Sequence, residues 1–241
     1  MTSLIAAAMI LNDTSFSARS GNPKPMSDMT QVEMVSADIK IKVPSCEVTV
    51  TYSFKNSGKK ESVTMGFPEE GYDAYLDAKQ KTWFKSFKSW VDGQAVPVLV
   101  QKIDDPESDP DFGYKVWWVK KMDFDAGQTR SVKNVYVSQP GGDTVPRHFF
   151  EYIVHTAKTW KGPIGKLRLE VDTSGLKKGT RYAFVSKPHK VEGSKFAWFW
   201  TNFEPTTEND MMVSWQHSDY DYGASPDWKT ILGGEVRVAG E

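Results

Sequence analysis

The chain has 241 residues, a formal net charge of −1, 39% hydrophobic residues and 25% charged ones. That length can bury a sizeable core, as one large domain or two smaller ones. The near-neutral balance argues against the basic stripe with which nucleic-acid binders displace counterions, and against strong attraction to an anionic membrane surface.

The chain opens on a short apolar run, Leu4 to Leu11, followed by the small residues Ser15, Ser17, Ala18 and Ser20. This is the layout of a secretory signal core and its cleavage region, although no Lys or Arg precedes Leu4. Arg19 to Met29 is rich in Ser, Pro, Gly and Asn and reads as a linker. Residues 1–29 are therefore expected to be a signal segment with its linker, and the protein to be exported to the periplasm, the cell surface or the medium. No apolar run reaches the length of a transmembrane segment.

From there the dominant pattern has period two. Val48, Val50, Tyr52 and Phe54 alternate with Glu47, Thr49, Thr51 and Ser53, which predicts a strand with one dry face and one wet face. Ile39, Ile41 and Val43 alternate in the same way upstream, and Pro44-Ser45 turns the chain into a hairpin. The sole cysteine, Cys46, cannot form an intrachain disulfide and reads as a small buried strand residue. Asn56-Ser57-Gly58 makes the next turn, and Ser62 to Phe67 returns. Glu69 to Lys81 suits either a short helix or a loop over the sheet edge. Strands are expected at Trp83–Val91 and Val96–Lys102, with an Asp92-Gly93 turn between them. Tyr114 to Lys120 carries apolar residues on both faces, as in a strand covered on both sides, and Thr129 to Val137 follows.

Gln139-Pro140-Gly141-Gly142-Asp143 concentrates strand breakers and marks an internal boundary. It divides an N-terminal β-sandwich domain, 30–139, from a C-terminal β domain, 145–241. In the second part Leu167, Leu169 and Val171 alternate with Lys166, Arg168, Glu170 and Asp172. Further strands are expected at 148–155, 182–185, 196–203, 211–215 and 235–238. The expected fold is all-β, two antiparallel β-sandwich-like halves in tandem.

Several pieces, in order along the chain, resemble a family of exported bacterial β-rich domains of unknown function. They are Val32-Glu33-Met34, Phe54-Lys55-Asn56-Ser57-Gly58, Met65-Gly66-Phe67-Pro68-Glu69, Trp160-Lys161-Gly162-Pro163-Ile164-Gly165 and Thr201-Asn202-Phe203-Glu204-Pro205-Thr206. The resemblance implies an exported, β-rich domain and supplies no catalytic residues. The same pieces have plain structural readings. Gly66 and Pro68 end a strand, and Gly162, Pro163 and Gly165 shape a turn over which Trp160 could pack.

Three features invite chemistry. Asp105, Glu107, Asp109 and Asp111 fall at every second position and could ligate Ca²⁺. Counted from Asp105, however, Pro110 and Val116 stand where an EF-hand loop needs Gly and Glu, so a solvated loop is the plainer reading. Trp160 and the run Asp219-Tyr220-Asp221-Tyr222 pair rings with carboxylates, as sugar sites do. The nine Trp residues otherwise suit a core. Met211, Met212 and His217 could ligate copper, but alternation puts Met211, Val213 and Trp215 on one face, as core. No GxSxG, HExxH, Walker loop or GxGxxG is present. The reading that results is a non-catalytic exported interaction or structural module. A protein or a cell-surface glycan is its expected partner, self-association is possible, and no nucleic acid is involved. The alternatives are a carbohydrate-binding protein or glycosidase and a Ca²⁺-stabilised surface protein.

Overall fold

The computed structural model describes residues 14–26, 30–73, 82, 84–102, 113–143, 147–216 and 227–241. In chain order the first strands are β1 (Thr14–Gly21), β2 (Lys24–Pro25), β3 (Val32–Lys42), β4 (Glu47–Asn56), β5 (Glu61–Asp73), β6 (Ser86–Val91), β7 (Gln94–Val96), β8 (Leu99–Lys102), β9 (Gly113–Phe124) and β10 (Thr129–Val137). Then come β11 (Gly141–Asp143), β12 (Arg147–Ile153), β13 (Ile164–Asp172), β14 (Arg181–Phe184), β15 (Lys190–Glu192), β16 (Lys195–Phe203), β17 (Met211–Gln216), helix α1 (Trp228–Leu232) and β18 (Arg237–Val238). The chain is all-β, as its alternation predicts. Val48, Val50, Tyr52 and Phe54 of β4 and Leu167, Leu169 and Val171 of β13 are all buried.

The strands form two sheets. A ten-stranded sheet runs β18-β14-β17-β12-β11-β1-β5-β9-β8, with β2 also paired to β5, and an eight-stranded sheet runs β15-β16-β13-β3-β4-β10-β6-β7. Each half of the chain gives strands to both sheets. Within each half the pairings are antiparallel, as expected. The halves meet where β1 runs parallel to β12 in one sheet and β3 runs parallel to β13 in the other. The inner faces share one buried cluster that includes Phe54, Trp160, Leu169, Trp198 and Val213.

Five local expectations change. Cys46 is buried but sits in the turn before β4, at φ 52°, rather than in a strand. The stretch read as a linker, Arg19–Met29, is partly built into the ten-stranded sheet: β1 lies between β5 and β11/β12, and β2 pairs with β5. Its Ser20 and Asn22 find polar partners inside the fold rather than solvent. Pro68 does not end its strand, because β5 continues to Asp73. Beyond β9, the other neighbours of β5 are β2, which reaches Met65 and Gly66, and β1, which starts at Glu69; the proline falls in the gap between them. That continuation also takes up the first part of the expected helix or loop at 69–81, and 74–81 lie outside the described residues. Finally, the expected strand Val96–Lys102 is two strands. Pro97 interrupts the ladder, so β7 pairs with β6 in one sheet and β8 with β9 in the other.

Candidate functional site

Trp118, Lys120, Met122 and Phe124 fall on the inward side of β9, so alternation carries a lysine into the space between the sheets. Lys120 is only 5% exposed. Its Nζ lies 2.5 Å from Ser89 Oγ on β6, 3.5 Å from Asn134 Oδ1 on β10, and 5.1 Å from the Phe67 ring centroid. Ser89 Oγ in turn lies 2.7 Å from Asn134 Oδ1. Burial alone pushes the Lys120 amine down to about 7. Asn134 Nδ2 is buried without a hydrogen-bond partner.

A second polar group occupies the seam between the halves. The hydroxyls of Tyr52 and Tyr152 are 3.0 Å apart and lie 3.3 and 3.0 Å from Asn22 Oδ1. Asn22 Nδ2 donates to the Val154 carbonyl at 3.1 Å, and Ser20 Oγ meets the Tyr136 hydroxyl at 2.8 Å. Burial raises all three phenols well above their ordinary range, so they stay neutral. Glu69, fully buried, accepts from Trp118 Nε1 at 2.8 Å and Thr82 Oγ1 at 2.6 Å.

A third group ties two of the connections that cross between sheets in the C-terminal half, β12 to β13 and β16 to β17. Asp210 Oδ1 accepts from the Val154 and His155 backbone N–H groups at 2.7 and 3.1 Å, and Oδ2 is 2.7 Å from His155 Nδ1. An ionised carboxylate only accepts, so the imidazole carries its proton on Nδ1. The arrangement fixes the ring as a hydrolase base is fixed, but its evident work is to satisfy two backbone donors at a crossover.

The sheet edges differ in protection. β18 has two residues and β7 three; β15 has three, with a Lys190–Glu192 ion pair at 2.7 Å. Among the described residues β8, with four residues, pairs with β9 alone, and it exposes Leu99 (66%) and Val100 (42%). Proteins ordinarily blunt such edges with charge, proline or brevity.

Of the residues singled out from sequence, Trp160 is buried, packs at a tilt against Phe54 with ring centroids 4.6 Å apart, and donates its indole N–H to the Pro23 carbonyl at 2.7 Å. It packs against Phe54 and Pro23 and offers no ring face to solvent. Asp219, Tyr220, Asp221 and Tyr222, and Asp105, Glu107, Asp109 and Asp111, lie outside the described residues. So does His217, while Met211, Val213 and Trp215 are buried on one face as the alternation predicts. Every described Trp is buried or half-buried. Among the described residues no three His, Cys, Asp or Glu side chains gather as metal ligands would.

The sequence matches the profile of a domain of unknown function, DUF4424, over residues 11–104 and 144–212. The chain belongs to the DUF4424 family. All five sequence pieces that carried the resemblance fall inside the matched residues. No curated protein matches the chain. Among solved structures, a Legionella pneumophila protein with a proposed role in nutrient binding aligns with a TM-score of 0.65 at 20% identity, covering 85% of this chain and 73% of its own. That likeness is one of fold. An M1 zinc metallopeptidase of Deinococcus radiodurans and an aminopeptidase N family protein of Idiomarina loihiensis each align at a TM-score of 0.35 and 10% identity. They cover 76% of this chain and 42% and 29% of theirs, too slight a likeness to support a functional reading.

Proposed function

We propose that this DUF4424 chain is a non-catalytic binding module working outside the cytoplasm, and that it takes an extended polypeptide segment along β8. The observation that carries the reading is the unblunted edge: a strand that among the described residues has β9 as its one neighbour and that exposes two aliphatic side chains, Leu99 and Val100. Main-chain pairing would supply affinity, and the aliphatic side chains would select apolar positions in the partner. The surroundings support a binding role. The thiol of Cys46 is buried, and the Asp210–His155 pair is engaged at a crossover. The apolar Leu4–Leu11 run supports export; any cleavage would fall before Thr14, because β1 belongs inside the ten-stranded sheet.

A photo-crosslinking residue placed at Leu99 tests the reading in cells that export the protein, with the same probe at exposed Val191 on the blunted β15 edge as control. A discrete adduct from position 99 alone is expected. Identical patterns from both positions, or none from 99, would refute the docking role.

A further inference from the structure

We infer that Lys120 Nζ and Asn134 Nδ2 form a buried binding site for a small monoanion between the two sheets of the N-terminal half. Lys120 reaches inward from β9, and no carboxylate forms an ion pair with it among the described residues. Its neighbours are one hydroxyl, one amide oxygen and the Phe67 ring. The orientation of the Asn134 amide follows from those neighbours. Its oxygen faces both Ser89 Oγ and Lys120 Nζ, where a turned amide would set Nδ2 against the amine, donor against donor. Nδ2 is thereby left with no partner in a fully buried position. A buried donor without an acceptor is destabilising, and an ammonium without a counter-charge more so.

One occupant answers both deficits: a compact, singly charged acceptor such as chloride or formate. A water molecule would satisfy the amide but leave the ammonium uncompensated. Size follows from burial, since Ser89, Lys120 and Asn134 are all at most 5% exposed and leave no route for a bulky anion. The site also sits near the rim of the sandwich, because among the described residues β6 and β9 have β7 and β8 alone outside them.

The test is thermal unfolding of the purified chain at fixed ionic strength, with chloride, bromide or formate replacing gluconate. The melting temperature should rise with the small anions, by about 3–5 °C per tenfold increase above the dissociation constant. The rise should vanish in Lys120→Met, which removes the charge and keeps the stem, and in Asn134→Leu. Bromide soaked into crystals should give an anomalous peak within hydrogen-bond distance of both nitrogen atoms. Superimposable curves in all salts, an undiminished rise in Lys120→Met, or a buried water as the sole occupant in the bromide-soaked crystal would overturn the inference.

Discussion

Gly165, at the start of β13, lies so close to Val35 of β3 that a Cβ built on it would stand 2.5 Å from the Val35 carbonyl oxygen. Gly21 of β1 meets the Ile153 carbonyl of β12 at the same 2.5 Å. Both glycines therefore sit on the parallel seams that join the halves, one in each sheet, and both face backbone that cannot swing away. Gly165→Ala should lower stability by about 1–3 kcal/mol in denaturant unfolding, as overpacking does. An unchanged midpoint would show that the seam yields freely.

The Lys120 amine makes stability depend on pH. Its folded pKa, near 7, lies below its unfolded value of 10.5, so the unfolded chain binds more protons between those limits. The Lys120 penalty is full below pH 7 and shrinks as pH rises from about 7 towards 10.5, by an amount on the order of 5 kcal/mol. With gluconate as the only anion, Lys120→Met should be more stable than the parent at pH 6, with the difference narrowing at pH 9. Parallel stability curves for the two proteins would contradict the buried, unpaired lysine.

Asp210 satisfies two backbone donors and one ring nitrogen. Asp210→Ala should cost about 1–3 kcal/mol by leaving those donors unpaired, whereas Asp210→Asn keeps an acceptor and should cost clearly less. Urea unfolding of the pair checks this. Equal losses would assign the effect to charge rather than to backbone satisfaction.

Burial pushes the Cys46 thiol up to about 12, and the side chain has no exposure. An aromatic disulfide reagent at pH 8 should leave the native chain unlabelled and titrate one thiol in denaturant. Fast native labelling would place Cys46 at the surface.

Much of the fold was legible because a half-buried strand writes its period into the sequence: β4 and β13 alternate without exception over the predicted spans. Strand partners leave no such record. Nothing local to Ile39 or Leu169 announces that they pair across the seam. Strand β1 was missed because Ser15, Ser17, Ala18 and Ser20 read as a cleavage region and Arg19 onward as a linker, although Ser20 and the adjoining Asn22 find polar partners inside the fold. Lys120 did leave a signal: it stands two residues from both Trp118 and Met122, on the inward phase of β9. The Asp210–His155 pair, 55 positions apart, left none.

The most direct measurement is the crosslinking yield from a probe at Gln101 in the parent and in the double variant Leu99→Lys, Val100→Lys. If the β8 edge takes up a partner strand, the adduct should disappear from the double variant while its melting temperature stays within about 2 °C, as for exposed surface positions. An adduct that persists at parental yield, or a variant that unfolds many degrees earlier, would show that Leu99 and Val100 serve something other than docking.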